Sequence, residues 1–190
     1  MTYWLRLFSA RIAALLRQDG RTKEEFFVQK RFDTRVMMEI AVAAALSLIL
    51  GMLRIYRMPY GGSVTLEMVP IFVVSLRHGM RSGAWSGLIL GLLKLLLDAD
   101  IIHPVQSVMD YPLPYAVLGI ASLFAQQPIV GVILATAARY VVHVLAGVVF
   151  WGSYAPEGTS PWIYSLGYNA SYLVPNAILA SLVIWLLMKS

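Results

Sequence analysis

Arg139, His143, Gly147 and Trp151 recur at four-residue intervals within an otherwise apolar stretch. On a helix that spacing stacks all four on one face. A face carrying an arginine and a histidine does not look at lipid, where such groups are costly. It either forms a row of interhelical hydrogen bonds around a small residue or meets a ligand. For Arg139, the deepest of the four, the interhelical bond is the preferred reading; for His143 and Trp151, nearer the outer end, ligand contact is. A second run, Tyr164, Tyr168 and Tyr172 with Asn169 and Asn176, repeats the pattern. An aromatic belt at the membrane surface would account for Tyr164. It would not account for the two asparagines, whose amides can pair with the edge of a heterocycle. A third group, Asp110-Tyr111-Pro112, puts a carboxylate at a helix start, where the dipole favours it and where a cation or strong donors would balance it.

The chemistry these residues suit is recognition rather than reaction. One acid, one histidine, two amides and several aromatic rings would hold a small, flat, cationic heterocycle by stacking, cation–π contact, charge balance and edge pairing. No Ser-His-Asp order, metal-ligand spacing or carboxylate pair occurs, so no catalytic residue, metal or cofactor is expected. The chain has no cysteine, which removes thiolate ligands and nucleophiles. It also lacks a Gly-rich phosphate loop, so any ATP-driven work would need a partner ATPase.

Long apolar blocks must position these groups. Of 190 residues, 59% are hydrophobic and 13% charged, too few charges to solvate a soluble domain of this size. Val36–Leu53, Ser82–Leu97, Val108–Phe124, Ile129–Trp151 and Tyr164–Met188 each run roughly 16–25 residues, the length that crosses a ~30 Å hydrocarbon core as a helix. A sixth, weaker span, Thr65–Leu76, contains Pro70 and follows Met58-Pro59-Tyr60-Gly61-Gly62-Ser63, which reads as an outer loop dipping into the bundle. The fold class expected is therefore an all-α integral membrane protein, a six-transmembrane-helix bundle.

Charge orients it. Eleven of the fifteen Lys and Arg residues fall on segments that a bundle with both termini cytoplasmic places inside, including eight between Arg6 and Arg35. The net charge of +5 thus needs no nucleic acid to explain it. Residues 1–35 form a basic extension. Within it Trp4, Leu5, Phe8, Ile12, Leu15 and Leu16 share a helical face opposite Arg6 and Arg17, as in a helix lying in the inner membrane interface, and Gln18–Arg35 follows as a charged connector. Residues 36–190 form the membrane domain. Lys94 and Asp98, spaced i, i+4, are expected to pair.

The same stretches resemble the thiamine-specific substrate-binding component of energy-coupling factor transporters. The likeness covers about residues 36–190. It rests on Gly61-Gly62-Ser63 with Met68-Val69-Pro70-Ile71, on His103-Pro104-Val105-Gln106 with Asp110-Tyr111-Pro112-Leu113, on Arg139-Tyr140, His143 and Gly147, and on Phe150-Trp151-Gly152-Ser153-Tyr154-Ala155-Pro156 running into Ser160-Pro161-Trp162-Ile163-Tyr164-Ser165 and Tyr168-Asn169. Together these motifs are highly specific. The resemblance implies six helices in a bacterial plasma membrane, with a thiamine site near the outer face. Its ligand residues would be Asp110, Tyr111, His143, Gly147, Trp151, Tyr164 and Asn169. Some relatives carry a tryptophan where Met58–Glu67 has none, and the resemblance then implies Tyr60 as its substitute. The resemblance further implies docking onto a transmembrane coupling subunit that works with two ATPase subunits. Small residues on the first helix, here Ala41 and Ala45, would form the contact; packing within the bundle would use the same residues. A precursor such as hydroxymethylpyrimidine is the alternative ligand.

Overall fold

The computed structural model describes residues 33–189 except Tyr60 and Asp98. The interfacial helix expected from Trp4 and most of the connector after it lie outside the described residues.

The first helix, α1 (Thr34–Met52), is rich in alanine and leucine, which lose little on entering a helix. It buries Ile40, Ala43, Ala44 and Ser47, a stripe at helical spacing. The opposite side exposes Val42, Leu46 and Ile49. Small residues inside and large apolar ones outside invert the pattern of a water-soluble helix. In water each exposed Val or Ile would forgo ~1.5–3 kcal/mol, whereas against hydrocarbon the arrangement costs nothing and close packing favours small residues inside.

A two-residue hairpin follows, β1 (Tyr56–Arg57) antiparallel to β2 (Ser63–Val64), with Tyr56 opposite Val64 and Arg57 opposite Ser63. Helix α2 (Val69–His78) is only 10 residues long and starts with Pro70 in its first turn, where a missing N–H is harmless. It inserts Ile71 and Phe72, both fully buried, into the core. Helix α3 (Met80–Leu97) turns Ser82, Gly83, Ser86, Gly87 and Gly91 inward. That smooth face lets another backbone press against it.

The segment pressed there departs from expectation. Val108–Phe124 is not one helix but three pieces: α4 (Pro104–Asp110), α5 (Pro112–Ala116) and a 3₁₀ stretch, Val117–Phe124. The break falls at Tyr111, with φ −116° and ψ −80°, because Pro112 excludes helical geometry from the residue before it and supplies no donor.

Helix α6 (Pro128–Phe150) and helix α7 (Pro161–Lys189) complete the bundle. Met68, Phe72, Leu90, Leu118, Val132 and Ala180 form the shared core. Among the described residues, α1, α3, α6 and α7 are long and apolar enough to cross a membrane.

Candidate functional site

A cavity of about 560 Å³ opens among α4, α6, α7 and the hairpin, within the range that encloses small organic ligands. Asp110, Tyr111, His143, Gly147, Trp151, Tyr164 and Asn169 all line it. Residues separated by up to 59 positions thus face one space. Tyr60, expected beside them, lies outside the described residues.

The break at Tyr111 ends α4 with Asp110 at the wall. Asp110 Oδ2 accepts hydrogen bonds from Gln106 Nε2 at 2.6 Å and Trp151 Nε1 at 2.9 Å, and Oδ1 stands 3.8 Å from His143 Nδ1. Strong donors therefore balance the carboxylate, which lines the cavity with accepting capacity left on Oδ1. Gln106 is fully buried and also ties in the preceding loop, donating to the Asp100 carbonyl and accepting from Ile102 N–H. His103 caps α4 by accepting from Val105 N–H, and its ring stacks on Phe150 at 5.4 Å. The loop motif therefore shapes the turn, and through Gln106 it aims Asp110.

On α6, Arg139 Nε donates to His143 Nε2 at 3.4 Å. An acceptor Nε2 leaves the imidazole proton on Nδ1, the nitrogen that faces Asp110. Gly147 lets α7 approach, since a Cβ there would fall on Ser165 Oγ. Ser165 Oγ itself donates to the Val144 carbonyl at 3.0 Å. Asn169 Nδ2 then donates to the Ser165 carbonyl at 2.9 Å, while its Oδ1 accepts from Tyr172 Oη at 2.7 Å. This fixes which way the amide points and leaves Oδ1 a second lone pair. Tyr164, Tyr168 and Tyr172 pack ring to ring along α7, with centroids 5.8 Å and 6.2 Å apart. Asn176, expected like Asn169 to pair with a heterocycle, instead spends both ends of its amide on the backbone of residues 63 and 65.

The buried end holds a cluster that sequence reading missed. Glu67 is 4% exposed and gathers three donors: Lys94 Nζ at 2.6 Å, Tyr115 Oη at 2.6 Å and Arg139 Nη2 at 3.2 Å. The Arg139 guanidinium also lies 4.1 Å from the centroid of the Tyr115 ring. Arg139 thus makes the interhelical bonds expected of it and lines the cavity as well. Lys94 was expected to pair with Asp98, which lies outside the described residues; its ammonium binds the buried Glu67 carboxylate, a far less screened partner than a solvated one. The signal available was the presence of three charges, Glu67, Lys94 and Arg139, in stretches otherwise apolar enough for lipid, which calls for mutual pairing.

Chemically, the cavity offers an acceptor edge at Asp110 and Asn169, aromatic faces at Trp151 just past α6 and along α7, and a donor-rich buried end. That set binds and orients.

Residues 37–190 match the family model described as thiamine transporter protein (Thia_YuaJ). The thiamine transporter ThiT of Bacillus subtilis (strain 168) is 38% identical over 170 residues, covering 80% of this chain and 88% of that protein. ThiT of Lacticaseibacillus paracasei is 33% identical over 141 residues, 64% of this chain and 70% of that protein. A solved structure of ThiT from Listeria monocytogenes superposes with a TM-score of 0.76 at 26% identity, covering 81% of this chain and 93% of that one. The S component of a bacterial ECF transporter shares the fold, with a TM-score of 0.59 at 17% identity over 82% of this chain and 94% of that one.

Proposed function

The chain belongs to the thiamine transporter protein family, and from that premise we propose that it captures thiamine in the cavity between α4, α6, α7 and the hairpin. It is a transport protein and leaves its ligand chemically unchanged. The observation that carries this reading is the Asp110–Trp151 pair: a carboxylate held at 2.9 Å by an indole N–H, beside a row of tyrosines. A carboxylate oxygen can accept from the exocyclic amine of an aminopyrimidine, and Asn169 Oδ1 can accept a second proton from the same edge. Trp151, Tyr164 and the neighbouring rings supply faces for the pyrimidine and for the cationic thiazolium. Tyr111, His143 and Gly147 complete the enclosure, His143 by holding Asp110 and Gly147 by keeping α6 and α7 close enough to share one wall.

Thiamine should bind the purified protein in detergent without ATP, because the proposed ligand groups belong to a single chain. Titration calorimetry reads this directly. Heat with riboflavin and none with thiamine would end the reading; heat with hydroxymethylpyrimidine equal to that with thiamine would reassign the ligand to the pyrimidine alone.

For the topology we take six crossings of the bacterial plasma membrane with both termini inside. Four are α1, α3, α6 and α7. The fifth is α2 together with the dipping chain before it, and the sixth is the broken segment from Pro104 to Phe124. The excess of Lys and Arg on the segments this places inside supports that orientation.

Transport then requires an energised partner, taken here as a transmembrane coupling subunit with two ATPase subunits. Ala41 and Ala45 are both exposed, whereas Ala43 and Ala44 point into the bundle. Exposure argues against internal packing as their role and supports a face that a partner helix can approach. Ala41→Leu with Ala45→Leu should therefore abolish uptake in cells that express the partner subunits, yet leave thiamine calorimetry on the isolated protein unchanged. Normal uptake by that double variant would move the docking face elsewhere.

A further inference from the structure

The geometry points to Asn176 as the positioning residue that holds the chain at Ser63–Thr65 against α7, and so sets the wall of the cavity. This inference rests on the proposed thiamine site only for its consequence, not for its geometry.

Asn176 is 1% exposed and follows Pro175, the proline inside α7. Its Oδ1 accepts from Thr65 N–H at 2.8 Å, and its Nδ2 donates to the Ser63 carbonyl at 2.9 Å. Those two backbone groups lie two residues apart on one edge of an extended strand, the edge a neighbouring strand would occupy. The other edge is already paired, with the Val64 carbonyl accepting from Ile55 N–H at 2.9 Å and Val64 opposite Tyr56. A single side-chain amide thus replaces a third strand, satisfying a donor and an acceptor that would otherwise be orphaned beside a bundle core.

The tether reaches the cavity in two directions. Toward the N-terminus, Gly62 lies on the Tyr172 ring so closely that a Cβ at Gly62 would fall within it, and Tyr172 Oη fixes Asn169 Oδ1. Toward the C-terminus, Thr65 Oγ1 accepts from Glu67 N–H at 3.3 Å, placing the acid of the buried cluster. Gly62, Ser63, Glu67, Asn169 and Tyr172 all line the cavity, whereas Asn176 does not. Its role is therefore to position, through backbone, groups on both sides of the space.

The chain has no cysteine, so a labelled pair can be introduced cleanly. Spin labels at Tyr56→Cys and Trp162→Cys, both exposed and outside the cavity lining, report the distance from hairpin to α7 in the full-length protein without ligand. With Asn176 intact the distance distribution should be narrow. Asn176→Ala should broaden and lengthen it, and Gly62→Ala, which displaces the same strand from Tyr172, should do likewise. Thiamine should then dissociate from Asn176→Ala at least tenfold faster, with its association rate changed by less than threefold. If Asn176→Ala does not fold, Asn176→Asp gives the same reading, since it keeps the acceptor for Thr65 and loses the donor to Ser63. An unchanged distance distribution overturns the inference, as does a broadened one with unaltered dissociation. Absence of thiamine binding by the parent protein would sink the ligand assignment while leaving the distance comparison to decide the role of Asn176.

Discussion

Glu67→Gln should destabilise the protein by about 3–5 kcal/mol, the cost of breaking a buried ion pair from one side. The carboxylate is shared by Lys94, Arg139 and Tyr115. An amide in its place offers one acceptor oxygen to three donors and turns two of its own protons toward two cations. Arg139 has little else to lean on. Among the described residues its Nη1 is buried with no hydrogen-bond partner, leaving His143 and the Tyr115 ring. A thermal melt in detergent should show a large drop for Glu67→Gln. Part of it should return in Glu67→Met with Lys94→Met and Arg139→Met, because apolar groups of similar size leave no charge stranded. A midpoint unchanged by Glu67→Gln would mean that water reaches this cluster and screens it.

Asp110→Asn should weaken thiamine binding roughly 5- to 150-fold, corresponding to ~1–3 kcal/mol for a mispaired buried group. The substitution preserves shape but removes the negative charge. Asp110 Oδ2 now receives both Gln106 and Trp151, so an amide can face its oxygen to them only by turning its NH₂ toward His143 and the cavity. The acceptor proposed for the ligand's amine then becomes a donor. Asp110 is partly screened by its three partners, so the fold should survive. Calorimetry together with a melt separates the two effects: lost affinity at an unchanged midpoint is expected. Full affinity in a well-folded sample would reduce Asp110 to a residue that shapes the end of α4.

Much of this arrangement was legible in residue order. The blocks Val36–Leu53, Ser82–Leu97, Ile129–Trp151 and Tyr164–Met188 match α1, α3, α6 and α7 to within a few residues, because a continuous apolar run admits no other backbone in lipid. The four-residue spacing on α6 placed His143, Gly147 and Trp151 on one face, and that face does line the cavity. What the sequence did not disclose depended on contacts distant along it. Glu67 meets Lys94 27 positions away and Arg139 72 positions away, whereas spacing along one helix reveals only neighbours three and four residues on. Asn176 looked like Asn169 in composition and surroundings. Only the path of the hairpin shows that one amide borders the cavity while the other completes a strand. The break at Tyr111 was visible as Pro112 and Pro114, but hydropathy across Val108–Phe124 masks it, since proline is apolar and interrupts no hydrophobic run.

The 3₁₀ winding of Val117–Phe124 changes what a short segment can do. Eight residues reach about 16 Å in this form and about 12 Å as an α-helix, so the stretch is a longer and slimmer rod for the same sequence. With three residues per turn its side chains stand in columns, making a triangular prism. Leu118 and Ala121 on one edge are buried, Ile120 on the next packs against the core while Leu123 beyond it is exposed, and the Gly119 carbonyl accepts from Ser75 Oγ and Ser122 Oγ. One inserted residue would rotate everything beyond it by about 120°, exchanging edges and carrying Leu123 toward the place of Ala121. The segment therefore tolerates substitution at exposed Leu123 far better than any change in its length.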